Sequence, residues 1–294
     1  MFVGAMTALV TPFKDGHVDE AALARLVEEQ LDAGIDGLVP CGTTGEAPTL
    51  EPEEHAQVIR VVVETVRRRG AKVPVIAGTG SNSTAHTIAS SRAAQAAGAD
   101  GLLVVTPYYN RPTQEGLYRH FRAIADAVPL PIIVYNIPGR TGCDMSVETL
   151  ARLAAAEQRI VGVKEATGSV ARAQEVVRRL GDRLAVLSGE DALNLPIYAV
   201  GGQGCISVVS NVVPRLVADA CHAAAAGALF KARELHQQTL ALTEALFVET
   251  NPIPVKAALA MMGTIGPEIR PPLYAMSGPA RERLRAVLSE HGLV

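Results

Sequence analysis

The sequence has no excess of basic charge, no long apolar run and no metal-ligand spacing, and each gap removes a class of protein. Lys and Arg total 27 against 30 Asp and Glu, a net charge of −3. Nucleic acid, which asks for a basic face, is therefore not expected as a partner. No apolar run reaches the roughly 18 residues that span a bilayer, so no membrane association is expected either. The opening Met1-Phe2-Val3-Gly4-Ala5 lacks the basic region and cleavage site of a signal peptide, which makes the cytoplasm the expected location. The cysteines Cys41, Cys143, Cys205 and Cys221 show no C-x-x-C spacing and read as reduced structural thiols. His55, His86, His120 and the other histidines show no H-E-x-x-H spacing, so no metal site is expected. No G-x-G-x-x-G opens a helix, and Gly42-Thr43-Thr44-Gly45-Glu46 lacks the lysine and hydroxyl of a phosphate loop. Redox cofactors and nucleotides have no support.

What the chain does have is alternation. Apolar runs fall at 5–10, 37–40, 73–77, 101–106, 132–135, 160–164, 184–188 and 204–207. Amphipathic helical stretches such as 20–33 and 53–69 separate them. Thr49, ahead of a Glu-Pro-Glu-Glu opening, marks the start of the second of these helices. Ala-Gly-Ile-Asp-Gly at 33–37 and Ala-Gly-Ala-Asp-Gly at 97–101 read as one helix-to-strand joint used twice. Eight such units close a (β/α)8 TIM barrel, and 294 residues suit that fold with an extension. An open doubly wound sheet is the alternative, but the glycine-rich first turn it needs is missing. The barrel is expected over residues 1–226. Residues 227–294 read as three helices (229–249, 254–262 and 278–291), broken by Pro271-Pro272 and packed outside the barrel.

Chemistry concentrates where the strands end. The run Ile160-Val161-Gly162-Val163-Lys164 finishes on one lysine before a Thr-Gly turn. An apolar wall disfavours the ammonium and lowers its pKa. A partly neutral lysine near pH 7 can attack a ketone and form a Schiff base. In a closed barrel the carboxyl ends of the strands form the active face. They gather Gly42, Thr43 and Thr44, Tyr108 and Tyr109, Tyr135, Arg140, Lys164, Gly189 and Ser207. Backbone N–H groups around Thr43 and Thr44 can accept a carboxylate, Arg140 can hold a second one, and a tyrosine beside a neutral amine can carry protons. Each has a plainer reading: a tight turn, a solvated loop arginine, packing tyrosines, an edge lysine. Their convergence on one face outweighs any single member.

Several stretches carry a family resemblance. Gly42-Thr43-Thr44-Gly45-Glu46, Tyr135-Asn136-Ile137-Pro138-Gly139-Arg140-Thr141-Gly142 and Val163-Lys164-Glu165-Ala166-Thr167-Gly168 resemble the signatures of the dihydrodipicolinate synthase/N-acetylneuraminate lyase family. Thr106-Pro107-Tyr108-Tyr109-Asn110-Arg111-Pro112 and Asn251-Pro252-Ile253-Pro254-Val255-Lys256 point to the family's synthase branch. The resemblance covers essentially the whole chain. It implies that Lys164 forms the Schiff base with pyruvate and that the enamine attacks L-aspartate 4-semialdehyde, giving 4-hydroxy-tetrahydrodipicolinate toward diaminopimelate and lysine. Tyr135 becomes the proton relay, linked to Thr43 and completed by Tyr109 from a neighbouring subunit. Thr43 and Thr44 hold the pyruvate carboxylate, Gly189 and Ile206 line the pyruvate pocket, and Arg140 binds the semialdehyde carboxylate. The family implies a homotetramer built as a dimer of dimers, with no metal or organic cofactor.

Two alternatives stand beside that expectation. One is a pyruvate aldolase of the same scaffold acting on 2-keto-3-deoxy sugar acids or N-acetylneuraminate, which the carboxylate-binding Arg140 disfavours. The other is a non-catalytic metabolite-binding relative, which Lys164, Tyr135, Thr43 and Tyr109 together disfavour. The resemblance also implies an allosteric lysine pocket at Asn82, His55, Tyr108 and His86, in degenerate form. Pro52 takes its early histidine position, His86 takes its glutamate position, and Pro48 alters the adjoining loop. A histidine does not pair with the amino group of lysine as a glutamate would, so feedback by L-lysine is expected to be weak or absent.

Overall fold

A computed structural model describes residues 2–294; Met1 alone lies outside the described residues. Eight short strands make one parallel sheet: β1 (Gly4–Ala8), β2 (Gly37–Val39), β3 (Ile76–Gly78), β4 (Gly101–Val105), β5 (Ile132–Asn136), β6 (Ile160–Glu165), β7 (Ala185–Ser188) and β8 (Gly204–Ser207). Each pairs in parallel with its sequence neighbour from β3 through β8, and β1 pairs with both β8 and β2. A parallel bridge between Leu38 and Val75, with the Gly78 N–H donating to the Pro40 carbonyl at 2.9 Å, closes the ring between β2 and β3. The fold is the expected (β/α)8 barrel followed by C-terminal helices.

The pleat sorts the side chains into two cores. Met6, Val39, Leu103, Ile133, Tyr135 and Leu187 fill the barrel interior. Their neighbours Leu38, Leu102, Val104, Ile132, Val134 and Val186 point outward into a second apolar layer under the helices. Because successive strand residues alternate faces, a strand buried on both sides is apolar throughout. That explains the unbroken runs seen in the sequence. It also gives Lys164 and Glu165 opposite fates. Lys164 enters the interior side, while Glu165 faces outward and accepts hydrogen bonds from Arg172 Nε at 2.9 Å and from the Thr167 N–H at 3.0 Å. The turn that follows the lysine is thereby fixed to the helix Val170–Leu180.

One local reading is corrected, and one element is added. The second amphipathic helix begins at Pro52, with Glu51 rather than Thr49 at its N-cap. Proline at the first helical position presets the backbone there, and the Glu51 N–H donates back to the Glu54 carboxylate at 3.1 Å. Thr49 closes a 3-10 turn instead, its hydroxyl donating to the Glu46 carbonyl. A two-stranded hairpin, Phe13–Lys14 with His17–Val18, is an element that the alternating pattern does not announce.

The three tail helices run Leu229–Leu246, Ile253–Met261 and Gly278–Glu290. They do more than pack outside the barrel, because the segment between the first two reaches over its carboxyl-terminal mouth. Lys256 and Glu46, each 2% exposed, form a buried ion pair. The Lys256 ammonium also donates to the Thr11 carbonyl at 2.9 Å and lies 4.3 Å from the centre of the Phe13 ring. Removing one partner of a buried pair strands the other charge, at about 3 kcal/mol or more. Lys256→Met is therefore expected to lower the unfolding free energy by about that amount, read by chemical denaturation. Adding Glu46→Gln should recover much of the loss. A single variant as stable as wild type contradicts this role.

Candidate active site

The site is built from strand ends and the loops behind them. Tyr135 on β5 and Lys164 on β6 are register partners, so both side chains leave adjacent strands on the same side. The Lys164 ammonium lies 4.4 Å from the centre of the Tyr135 ring. Above them a cavity of about 430 Å³ opens, walled among others by Thr43, Thr44, Tyr135, Arg140, Lys164 and Gly189.

Lys164 is 5% exposed. Burial lowers its pKa to about 8, against the upward pull of the Asp191 carboxylate and with some help from Arg140. A charged amine is disfavoured where water is scarce, so a useful fraction of the lysine is a neutral nucleophile near pH 7. Burial acts in the opposite sense on Tyr135 and lifts its phenol to about 12, with the Arg140 charge and a hydrogen bond from Thr43 opposing. The phenol therefore stays protonated and able to pass a proton. Gly189 leaves room beside the amine. A Cβ there would sit 2.7 Å from the Ala166 side chain and 3.1 Å from Lys164 Cε.

The loop after β2 carries Thr43 and Thr44. The N–H groups of Gly45, Glu46 and Ala47 turn back to the carbonyls of Gly42 and Thr43. Those of Thr43 and Thr44, two residues of the cavity wall, donate to no protein acceptor among the described residues, which leaves two donors free for an anion. Arg140 stands at the mouth, on the one-turn helix Pro138–Thr141 that follows β5.

Three residues of the wall were given no role by sequence reasoning. Asn251, from the tail, donates through Nδ2 to Thr44 Oγ1 at 3.0 Å, and its carbonyl accepts from Arg140 Nη2 at 3.3 Å. One tail residue thus braces both candidate carboxylate binders. Asp191 accepts the N–H groups of Val208 and Val209 at 2.8 and 3.1 Å, tying the loop after β7 to the loop after β8. Glu190 also lines the cavity. The apolar run 184–188 was visible as a strand, but the acidic residues behind it carry no spacing that separates a tie from a ligand.

Other expected residues fall elsewhere. Ile206 is 1% exposed in the interior cluster and does not line the cavity. Val208, just past the end of β8, lines the cavity instead. Tyr109 does not line the cavity either; it is 90% exposed on left-handed backbone, with φ of 70°. Asn82 and Tyr108 are brought together by Asn110, which donates through Nδ2 to the Asn82 carbonyl and through its N–H to the Tyr108 carbonyl, both at 2.8 Å. His55 donates its Nε2–H to the Gly78 carbonyl at 2.8 Å. His86 is exposed on the first turn of the helix Thr84–Ala96. All four cysteines are free and buried, and among the described residues no helix is long and apolar enough to cross a membrane.

A closed barrel with a buried amine of lowered pKa, a protonated tyrosine beside it and anion donors across the same cavity defines a Schiff-base lyase. The profile of the Dihydrodipicolinate synthetase family matches residues 1–291, and the chain belongs to that family. It is 54% identical to the 4-hydroxy-tetrahydrodipicolinate synthase of Syntrophus aciditrophicus over 294 residues, the full length of both chains. Among solved structures, it resembles dihydrodipicolinate synthase from Aquifex aeolicus, with a TM-score of 0.96 and 48% identity over 99% of each chain. The chloride-inhibited dihydrodipicolinate synthase from Acinetobacter baumannii, complexed with pyruvate, matches at a TM-score of 0.96 and 45% identity over 100% of both chains.

Proposed function

We propose that this chain condenses pyruvate with L-aspartate 4-semialdehyde to give 4-hydroxy-tetrahydrodipicolinate, on the route to diaminopimelate and lysine. The observation that carries the reading is the placement of Lys164 and Arg140 in the wall of one cavity. One group suits a ketone, and the other a carboxylate-bearing aldehyde.

In this reading the neutral Lys164 amine adds to the keto carbon of pyruvate, and water leaves to give an imine. Loss of a methyl proton gives the enamine. Its carbon attacks the aldehyde, and the new alkoxide takes up a proton. The substrate amine then closes on the imine carbon and expels Lys164. Tyr135, bonded to Thr43, carries the protons. The N–H groups of Thr43 and Thr44 and the hydroxyl of Thr44 hold the pyruvate carboxylate, with Asn251 orienting that hydroxyl. Gly189 leaves space for the ketone. Arg140 holds the carboxylate of the aldehyde.

Removing the charged partner of a desolvated carboxylate is worth roughly 2–5 kcal/mol. Arg140→Ala is thus expected to lower kcat/KM for the semialdehyde by at least about 30-fold, while pyruvate still forms its imine. Steady-state kinetics with each substrate varied checks both parts. An unchanged kcat/KM for the semialdehyde contradicts the role of Arg140.

The reading extends to assembly. The partner subunit's Tyr109 completes the relay in a homotetramer built as a dimer of dimers, in the cytoplasm. An exposed aromatic ring on strained left-handed backbone supports it, since bulky residues adopt that conformation only where the surroundings impose it. A fully active monomer in sedimentation velocity contradicts it. Feedback is the second extension. Asn82 and Tyr108 remain together, but His86 offers no carboxylate to an amino group. L-lysine is therefore expected to inhibit weakly or not at all, and half-inhibition at sub-millimolar lysine contradicts that.

A further inference from the structure

The cavity carries more acidic groups than the roles above use. Three carboxylates line it: Glu190, Asp191 and Glu244. Asp191 is already engaged, accepting from the Val208 and Val209 N–H groups and from Asn194 Nδ2. Glu244 is exposed and lies 3.9 Å from the Arg283 guanidinium. The half-buried Glu190 side chain has neither a hydrogen-bond donor nor a cationic partner among the described residues. Its only bonds are those of its backbone, with the Ser188 hydroxyl and the Leu193 N–H.

Its position is defined from two sides. The carboxylate stands over the Thr167-Gly168 turn that follows Lys164, where a Cβ on Gly168 would come within 3.6 Å of Oε2. Glu190 and Arg140 also both act on the Tyr135 phenol, with opposite sign. A negative and a positive group thus line the cavity that also holds the phenol and the reacting lysine, and they are not paired with each other. An unpaired carboxylate in a half-dry cavity is costly to keep, unless a bound cation meets it.

We propose that Glu190 is a specificity-determining residue that receives the α-ammonium of the aldehyde substrate while Arg140 receives its carboxylate. This deepens the proposed function and rests on it. An α-amino acid presents both charges on one carbon, and two opposite protein charges at one cavity mouth match that pattern. Sugar-derived aldehydes carry no such cation. Glu190 therefore selects the amino-aldehyde against uncharged aldehydes, and Arg140 alone does not separate it from a simple carboxylated aldehyde.

The test compares L-aspartate 4-semialdehyde with succinic semialdehyde, which lacks only the amino group. Wild type, Glu190→Gln and Glu190→Asp are assayed by pyruvate consumption. If succinic semialdehyde is not turned over, its inhibition constant against the amino-aldehyde is read in its place. Glu190→Gln is expected to lower kcat/KM for the amino-aldehyde roughly 10- to 100-fold and to change the value for succinic semialdehyde by less than about twofold, the scale of one charge-assisted hydrogen bond. Glu190→Asp should restore part of the discrimination. Borohydride trapping of pyruvate should be unchanged in Glu190→Gln, which reports an intact Lys164 and fold. Equal loss for both aldehydes, or loss for neither, overturns the inference alone. A wild-type enzyme that consumes no pyruvate with the amino-aldehyde overturns the proposed reaction, and this inference with it.

Discussion

Lys164→Ala is expected to abolish turnover, by about 10³-fold or more, because no other group in the cavity can make the covalent bond. The other charged nitrogens near the site are guanidinium, which does not become nucleophilic at neutral pH, and Lys256, which is locked to Glu46. The same substitution should leave the fold intact. Lys164 is 5% exposed and makes no ion pair among the described residues, so its charged form is disfavoured where it sits and its removal relieves that penalty. Losing its methylenes beside the cavity acts the other way. Thermal unfolding should therefore show a midpoint close to that of wild type, with activity gone. Near-normal turnover in the variant contradicts the covalent account. A collapsed midpoint would instead give Lys164 a structural role.

Tyr135→Phe is expected to reduce kcat by about 10²- to 10⁴-fold, the usual range for losing a positioned proton-transfer group. Phenylalanine keeps the ring that packs with Met6, Ile133 and Leu187 in the barrel interior, so the loss reads the hydroxyl alone. The phenol is held near 12 by burial, so it is uncharged through neutral pH and its role is to hand on protons. The pyruvate imine should still form in the variant, more slowly, because the nucleophile is untouched. A kcat within a few-fold of wild type contradicts a relay through Tyr135. Loss of imine formation together with loss of fold would make the tyrosine a packing residue.

The parts of this molecule that were legible in its sequence are those governed by local pattern. Both faces of each barrel strand are buried, so Ile132–Tyr135 and Ile160–Val163 read as unbroken apolar runs, and a lysine at the end of one of them stands out. Loop glycines and threonines between such runs mark the carboxyl-terminal face. What the sequence did not expose depends on distant partners. Asn251 meets Thr44 across 207 positions, and Lys256 meets Glu46 across 210. Neither contact leaves a periodic trace, so the tail read as an appendage, although it braces the site. The resemblance gave Ile206 a place in the pyruvate pocket, and the residue of that stretch lining the cavity is Val208, just past the end of β8. The helix start was read at Thr49 because an acidic Glu-Pro-Glu-Glu opening follows it and suits the positive helix end. Pro52, with Glu51 and Glu54, moves it downstream by geometry.

The most direct measurement is borohydride reduction of the protein with pyruvate, followed by intact-mass analysis and peptide mapping. The account predicts one pyruvate adduct per chain, on the peptide carrying Lys164. It also fixes the pH dependence. The neutral amine is the reactive form and its pKa lies at about 8, so the trapping rate should rise as pH increases through 7 and 8 and level off above. An adduct on another lysine, or pyruvate binding without any adduct, would contradict the Schiff-base account.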